Sequence, residues 1–324
     1  MIATITLNPS LDRTITVHGL KLDETNRWRM MHLYAGGKGI DVSRTIYEMG
    51  DETVAYGFVG GAAGRTIEIL LDEEGVPFSF TPIEQETRTN FIITDTKTYR
   101  QTRIDAPGPH ISERQLARFR RKMRQLSPKP DLVVAGGSLP PGIPINVYCE
   151  IVSEAKSFGI RTLLDSEGRW LEEGIKAKPY LIKPNVHEAE ELLKVELPTE
   201  EAIIKAALKI IEMGIKVAVI SRGKDGLIAA TKQEVVKAVP PAVRVRSAVG
   251  AGDCTMAGLA LKLVNNKPLR EACQLAVAMG TAAVLTPGTE LCHREAVEEI
   301  LPQVKVWETR KSKLAKTFSF ASDE

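Results

Sequence analysis

The strongest constraint on the fold of this chain is a regular alternation of short apolar runs with amphipathic helices. The runs are rich in β-branched residues, and each is continuous rather than alternating between polar and apolar positions. They are Thr53–Val59, Asp131–Ala135, Ile160–Leu164, Tyr180–Ile182 and Lys216–Ile220. Continuous runs of this length are typical of strands that are covered by helices on both faces. Repeated strand–helix–strand units therefore predict a mostly parallel α/β sheet with right-handed crossovers.

The helices between these runs have recognisable ends. Gly64–Glu74 places its large aliphatic residues on one face and stops at Gly75. The helix Ser112–Leu126 opens with a capping box, in which the side chains of Ser112 and Gln115 each accept a hydrogen bond from the backbone N–H of the other residue. Beyond about residue 250 the pattern predicts helices almost throughout. These are Ala251–Val264, Leu269–Leu285 and His293–Leu301.

Two regions depart from this alternation. Arg13–Val17 with Trp28–Tyr34, and Thr87–Thr94 with Thr98–Ile104, alternate polar and apolar residues. Such alternation predicts strands that have one solvated face. They are either edge strands of the main sheet or a small antiparallel sheet that covers a site, and periodicity alone does not decide between the two.

Composition excludes several classes of protein. The 324 residues include 43 Lys and Arg against 41 Asp and Glu, and this balance argues against a protein that mainly holds nucleic acid. The four cysteines form no CxxC pair, so neither a zinc ribbon nor a redox dithiol is predicted. The chain has no signal-peptide pattern and no run long enough to span a membrane, and we expect a cytoplasmic protein. The basic segment Lys305–Glu324 is predicted to be a solvated tail. The arginines of the helix Ser112–Leu126 are predicted to lie on a solvated face of that helix.

The most informative motif is Gly250-Ala251-Gly252-Asp253, which leads at once into an apolar helix. Glycines at a helix start let backbone N–H groups converge on one point, and the helix dipole favours an anion there. A carboxylate beside such a point suits phosphoryl transfer, which needs donors for the transferred group and a base for the attacking hydroxyl. Taken alone, Asp253 also fits a plain helix N-cap. The chain contains neither a Walker A loop nor a clean GxGxxG turn, so a P-loop NTPase and a dinucleotide dehydrogenase are disfavoured.

Three further segments are candidates for ligand contact, and each also has a purely structural interpretation. Ala35–Asp41 (AGGKGID) is either a tight turn or a place where the backbone approaches a polyhydroxylated ligand. Gly136–Gly142 (GGSLPPG) is either a rigid turn or part of a site at the carboxyl end of a strand. In Lys183–Glu188 (KPNVHE), Asn185 and Glu188 suit either a hydrated Mg²⁺ or a capping box. Ser221–Gly226 follows the next strand, where it can line the phosphates of a nucleotide.

Taken together and in order, these motifs resemble the PfkB (ribokinase-like) family of sugar kinases over essentially the whole chain. The opening Leu7–Asp12 (LNPSLD), Thr87–Asn90 (TRTN) and GSLPPG are typical of the branch that contains phosphofructokinases and tagatose-6-phosphate kinases. Val239–Pro241 and Gly288–Cys292 are similar to the minor 6-phosphofructokinases of bacteria, a group within that branch. The resemblance implies a three-layer α/β/α sandwich with a mostly parallel sheet and a small antiparallel β lid. The expected kinase domain is 1–304, with lid strands inserted at about 12–35 and 87–105 and a tail at 305–324.

The resemblance also implies a role for each motif residue. Asp253 would deprotonate the sugar hydroxyl, and the turn Gly250–Gly252, through the amides of Ala251 and Gly252, would stabilise the transferring phosphoryl group. The sugar would be held by Asp12, Gly36, Gly37, Lys38, Asp41 and Ser138, with its phosphate on Arg88 and on Arg27 or Arg29. The nucleotide would be lined by Lys183, Asn185, Ser221, Gly223 and Gly226, and Mg²⁺ organised by Asn185 and Glu188, through water.

The expected reaction is transfer of the γ-phosphoryl group of ATP to fructose 6-phosphate, giving fructose 1,6-bisphosphate. Kinases of fructose 1-phosphate and of tagatose 6-phosphate are close alternatives; a kinase of an unphosphorylated sugar or nucleoside and a non-catalytic ligand-binding regulator are more distant ones. The lid is expected to pair two subunits into a homodimer, and a monovalent cation such as K⁺ is a further candidate. Two positions depart from the family pattern. Asp41 stands where an asparagine normally contacts substrate, and Glu290 stands where the minor phosphofructokinases have arginine.

Overall fold

A ten-stranded sheet forms the body of the computed structural model, which describes residues 1–310. Seven of its strands are parallel to one another: β1 (Ile2–Thr6), β4 (Thr53–Gly60), β5 (Thr81–Ile83), β8 (Leu132–Gly136), β9 (Arg161–Asp165), β10 (Leu181–Ile182) and β11 (Val217–Ser221). Six of them are adjacent in the order β11-β10-β9-β8-β1-β4, and the short β5 continues the parallel set at one edge. The five predicted buried strands are all present, and the mostly parallel sheet is confirmed.

Helices cover both faces of this sheet. They are α1 (Lys38–Glu48), α2 (Gly61–Glu73), α3 (Glu113–Arg124), α4 (Val147–Ser157), α5 (Gly168–Gly174), α6 (Val186–Leu193), α7 (Glu200–Glu212), α8 (Ala251–Val264), α9 (Leu269–Ala283) and α10 (Arg294–Ile300). Alternate residues of one strand enter different cores: Leu132 and Val134 pack with α8 and α9, whereas Val133 and Ala135 pack with α3, α4 and α7. This arrangement explains why the strands are apolar at every position.

A separate four-stranded sheet lies outside the body, and we call it the lid. It comprises β2 (Ser10–Val17), β3 (Met30–Gly36), β6 (Arg88–Asp95) and β7 (Gln101–Ile104), in the order β3-β2-β6-β7. Each of its two hairpins is antiparallel, as predicted, but the central pair β2–β6 runs parallel, because both strands leave the body in the same direction. The alternative that these are edge strands of the main sheet is therefore wrong.

The carboxyl-terminal boundary of the predicted domain needs a correction. Lys305–Arg310, assigned to a solvated tail, forms strand β14 at the edge of the main sheet. It pairs with β13 (Glu234–Val239), which forms an antiparallel hairpin with β12 (Leu227–Ala230). The many charged residues of this segment mask an alternation between side chains on the two faces of the strand. Val306 packs on the core, whereas the ring of Trp307 lies against Nζ of Lys237. The rest of the predicted tail, 311–324, lies outside the described residues.

The topology brings the predicted motifs to one edge of the sheet. β8, β9, β10 and β11 are parallel neighbours, so the residues that follow them lie side by side at their carboxyl ends. Within the described part of the chain, no helix combines the length and apolar character needed to cross a bilayer.

Candidate active site

Asp253 lies in the first turn of α8, at the carboxyl edge of the sheet. Gly250 caps this helix in the left-handed conformation (φ 80°), which favours glycine. The Asp253 and Cys254 amides bond back to the carbonyl of Gly250, at 3.1 and 2.9 Å. Across residues 1–310, the amides of Ala251 and Gly252 have no protein acceptor. The helix therefore presents two free N–H donors beside a carboxylate, as the motif predicted.

Two lysines and a buried aspartate lie next to this helix start. Oδ1 of Asp165 is 2.8 Å from Nζ of Lys38, and its Oδ2 is 3.0 Å from Nζ of Lys183. A Cβ atom placed on Gly252 would be 3.6 Å from Nζ of Lys183, so this ammonium group lies beside the start of the helix. Burial raises the pKa of Asp165, but the two lysines outweigh it and lower it overall. The three side chains form a fixed, ionised cluster.

The charges around Asp253 set its proton affinity. Burial raises its pKa, Lys38 lowers it, Asp165 raises it and Lys183 lowers it, with the result at about 6. Arg103 of β7 also acts on Asp253 and lowers its pKa. A carboxyl with this pKa is ionised at neutral pH yet retains affinity for a proton, as a general base requires.

Asp12 projects from β2 on the lid face that covers the site. Its Oδ1 accepts hydrogen bonds from the hydroxyl of Ser10 at 2.6 Å and from Nδ2 of Asn90 at 3.1 Å. A Cβ atom on Gly36 would be 2.5 Å from Oδ2 of Asp12, so only glycine leaves room for this carboxylate. The neighbouring Gly37 caps α1 at φ 119°, which again favours glycine. Glycine at position 36 therefore lets the Asp12 carboxylate approach the backbone closely, and glycine at position 37 allows the conformation that starts α1.

Arg88, at the start of β6, lies over the same region. Its Nη1 and Nη2 donate to the carbonyls of Ala106 and Asn8, at 2.8 and 2.9 Å. Its Nε is buried and has no partner in the described chain, and Arg88 forms no ion pair with a protein carboxylate there. Nδ2 of Asn8 also donates to Oγ of Ser138 at 3.1 Å, which joins the predicted GSLPPG turn to this group. The guanidinium is positioned and retains its charge.

A cavity of about 560 Å³ adjoins the other side of the helix start. It is mostly apolar, and its walls include Pro240, Val243, Val277 and Val284. The predicted nucleotide residues Ser221, Gly223 and Gly226 line it, together with Ala251 and Gly252. A flat base with a phosphate chain fits a cavity of this size and lining. Lys183 and Asn185 stand beside it, after β10, rather than in its lining.

Asn185 and Glu188 form the capping box of α6. Oδ1 of Asn185 accepts from the Glu188 amide at 2.9 Å, and Oε2 of Glu188 accepts from the Asn185 amide at 2.8 Å. The structural interpretation of this pair is thus confirmed, and it leaves Oε1 of Glu188 without a protein partner among residues 1–310. Burial raises the pKa of Glu188. An oxygen donor set of this kind fits a hydrated Mg²⁺, which retains most of its waters.

The sequence interpretation missed several residues of the site. Arg27 is exposed in the loop between β2 and β3, and its expected contact with the phosphate of the substrate stays a prediction. Asp165, Asn90 and Arg103 were not predicted. Asp165 ends β9 at the carboxyl edge of the sheet. The neighbouring motifs were predicted to bind ligand because they too lie at the carboxyl end of a strand.

Comparison with known proteins agrees with this geometry. Residues 5–296 match the family described as pfkB family carbohydrate kinase. A 1-phosphofructokinase of Bacillus subtilis is 34% identical over 94% of this chain and 99% of that protein, and a tagatose-6-phosphate kinase of Staphylococcus epidermidis is 35% identical over 95% and 100%. The crystal structure of phosphofructokinase-2 from Escherichia coli with fructose-6-phosphate superposes with a TM-score of 0.88 at 30% identity, over 93% of this chain and 98% of that one. Structures of the same protein contain potassium or show a tetrameric inhibited form. The chain therefore belongs to the pfkB family of carbohydrate kinases and is a phosphotransferase of that family.

Proposed function

We propose that this enzyme transfers the γ-phosphoryl group of ATP to a ketohexose phosphate, with fructose 6-phosphate as the first candidate and fructose 1,6-bisphosphate as product. The observation that carries the proposal is the placement of Asp253 beside two free helix amides and Nζ of Lys183. One group takes a proton while its neighbours bind a phosphoryl group, which is the arrangement that transfer to a hydroxyl requires.

In this reaction Asp253 accepts the proton of the sugar hydroxyl as its oxygen bonds to phosphorus. The bond between the γ-phosphorus and the bridging oxygen breaks, and ADP leaves with the electron pair. The amides of Ala251 and Gly252 and the ammonium of Lys183 donate to the phosphoryl oxygens. Negative charge is held there in a partly buried place, where hydrogen bonds act strongly. Lys38 balances the charge of Asp165 and of the base.

The acceptor is proposed to be a phosphorylated sugar because the lid brings two arginines to the site, one of which, Arg88, has no ion pair within residues 1–310. Arg88 has a buried Nε without a partner. Arg103 lies opposite Ile92 in the lid; its Nη2 is 3.4 Å from Oδ2 of Asp105, and its charge also acts on Asp12 and Asp253. A phosphate group satisfies such donors well. An unphosphorylated sugar would leave Arg88 without a counter-ion.

Two metal ions belong to the proposal. Asn185 and Glu188 would hold Mg²⁺ through its waters; this ion neutralises the phosphates of the nucleotide in kinases. A monovalent cation such as K⁺ is proposed because the Escherichia coli relative has been solved with potassium. In this chain the hydroxyl of Ser247 meets the carbonyl of Gly288 at 2.7 Å, which brings oxygen atoms of two loops together. Oε1 of Glu290 lies 2.7 Å from Nε2 of His293.

We also propose a homodimer formed through the lid, acting in the cytoplasm, where ATP is abundant. The lid face away from the site is largely apolar and also carries Arg13, which lies between Leu33 and Phe91. This face carries Ile15, Met31, Phe91, Ile93 and Ile104, of which Phe91 is 37% exposed and Ile104 55%. Exposed apolar residues clustered in this way typically mark an interface. Arg27 is predicted to reach the partner subunit's substrate in such a dimer.

The test of the function is release of ADP from Mg²⁺–ATP with a panel of acceptors. Fructose 6-phosphate, fructose 1-phosphate, tagatose 6-phosphate, fructose, ribose and adenosine are compared in parallel. We expect turnover with at least one ketohexose phosphate and a kcat lower by about 10²- to 10⁴-fold in Asp253→Asn, because the base is lost. Asp72→Asn, at an exposed position of α2, is the matched control. Preference for ribose or adenosine would exclude the phosphosugar assignment, and near-normal kcat in Asp253→Asn would exclude the base.

A further inference from the structure

Asp41 is a carboxyl group that the reaction described above does not use. It lies in the first turn of α1 and is 9% exposed. Its Oδ1 is 3.5 Å from Nη1 of Arg44, a long contact for an ion pair. Elsewhere in the described chain no protein donor pairs with Oδ2 of Asp41. The group thus has one weak protein contact and one oxygen left for a ligand.

The charge of Arg44 is already shared. Its Nε and Nη2 bind both oxygens of Glu74, at 2.7 and 2.8 Å, in the two-bond arrangement typical of strong arginine–carboxylate pairs. Nη1 also donates to the carbonyl of Ala35 at 3.2 Å. One guanidinium therefore faces two carboxyl groups, and Glu74 holds it at shorter distances. No second cation is paired with Asp41 within residues 1–310.

Other acidic groups surround Asp41 on the elements that pack against it. Oγ1 of Thr45, one helical turn further along α1, is 3.4 Å from Sγ of Cys254, so Asp41 and Asp253 lie at the meeting ends of α1 and α8. Burial raises the pKa of Asp41 well above its usual value, Asp253 raises it further, Arg44 lowers it, and Asp12 and Cys254 raise it. The groups that act on the pKa of Asp41 are Asp12 from the lid, Asp253 and Cys254 from α8, and Arg44 from its own helix. Arg44 in turn contacts Glu74 and the ring of Tyr34.

We propose that Asp41 stays protonated at neutral pH and donates its O–H to a hydroxyl of the acceptor sugar, as an uncharged hydrogen-bonding residue beside the ionised base Asp253. The protonated acid offers one donor and one acceptor, like a side-chain amide. A second carboxylate would repel a phosphorylated substrate, whereas the neutral acid does not. The identity of the sugar rests on the proposed function, but the proton on Asp41 does not.

The first test is independent of turnover. An unfolded aspartate loses its proton at about pH 4. If folded Asp41 keeps its proton, the wild type loses stability relative to Asp41→Asn as the pH rises above that value. Urea unfolding from about pH 5 to about pH 8 should show the midpoint of Asp41→Asn rising relative to wild type. Asp72→Asn replaces an exposed carboxylate, so the difference between its urea midpoint and that of the wild type should stay constant over this pH range. A constant difference for Asp41→Asn would overturn the proposal.

A measurement on the wild type covers the case in which Asp41→Asn does not fold. With ¹³C at the aspartate carboxyl carbons, one resonance should keep the chemical shift of a protonated acid at about pH 7.5, where Asp253 is ionised. Absence of such a resonance would also overturn the proposal.

The second test reads the binding role. With the preferred sugar phosphate, kcat/KM of the wild type should fall at alkaline pH as Asp41 ionises, and Asp41→Asn should lack this fall when each profile is scaled to its own maximum. Glu74→Gln frees Arg44 to pair with Asp41, so it should move the fall to lower pH. Identical profiles in all three proteins would exclude the binding role. If no sugar phosphate is turned over, the proposed function fails, while the unfolding and NMR measurements still decide whether Asp41 holds a proton.

Discussion

Asp253 gains its chemistry from residues far away in the chain. Burial and Asp165 raise its pKa, and Lys38 and Lys183 lower it, so that it reaches about 6. A base of this kind is half-ionised near that pH and fully ionised at pH 7 to 8. We expect kcat/KM, which reports the ionisation of the free enzyme, to fall about tenfold per pH unit below about pH 6.

The profile of kcat/KM from about pH 5 to about pH 9 checks this expectation, with fructose 6-phosphate and ATP both well below their KM values. Unfolding measurements test the direction of the pKa shift of Asp253 independently of turnover. The pKa of folded Asp253 lies above its unfolded value, so the wild type loses stability as the pH rises from about 4 to about 6. Asp253→Asn should therefore gain stability relative to wild type over that interval. A kcat/KM that stays flat down to about pH 5 would contradict the assignment of the base.

Arg88 is the residue that we expect to distinguish phosphorylated from unphosphorylated acceptors. Arg88→Ala should raise KM for fructose 6-phosphate by roughly 10- to 100-fold, the range for losing a hydrogen bond to a charged group. Its effect on kcat should be much smaller, since the reacting hydroxyl is elsewhere. Steady-state kinetics with Arg118→Ala, an exposed arginine of α3, provide the control. An unchanged KM in Arg88→Ala would show that the phosphate is held by other groups.

Among the elements, the start of α6 combines a cap with a proposed ion site, and one substitution separates these roles. Glutamine already completes the same box at α3, where Oε1 of Gln115 accepts from the Ser112 amide at 2.8 Å. Glu188→Gln should therefore change the free energy of unfolding by less than about 1 kcal/mol. It removes the charge next to the proposed Mg²⁺, so KM for Mg²⁺–ATP should rise several-fold.

The matched control is the reverse change, Gln115→Glu, which alters a capping box away from the site. Both variants are compared by urea unfolding and by titration of Mg²⁺–ATP. A loss of stability in Glu188→Gln without any change in KM would mean that the pair is a cap alone.

The elements also show what a sequence can reveal. Asp253, its glycines and the exact span Ala251–Val264 were predictable, because local chemistry defines a helix start. Asp165 was missed, although it ends β9 at the carboxyl edge of the sheet, where ligands bind in α/β folds. Only the order of β8, β9 and β10 places it between Lys38 and Lys183. The strand β14 was missed because charge counts outweighed a short alternation.

For the whole molecule, the exposed face of the lid predicts how copies associate. We expect the wild type to sediment as a dimer and the double variant Phe91→Asp/Ile104→Asp as a monomer, because two charges would be buried without partners. Ile69→Asp, at an exposed position on α2, is the control. A dimer that survives the double substitution would place the interface elsewhere. Activity of the monomer also tests the predicted role of Arg27 across the interface.

The parallel pairing of β2 with β6 has a mechanical consequence. Eight residue pairs join these strands, from Ser10–Arg88 to Val17–Asp95, so the two hairpins behave as a single plate. Asp12 is attached to one hairpin, and Arg88 and Arg103 to the other. Any tilt of this plate would move both sets of residues together, so the proposed holds on the sugar hydroxyls and on its phosphate would be released in one event. Departure of the proposed bisphosphate product would then have a single barrier.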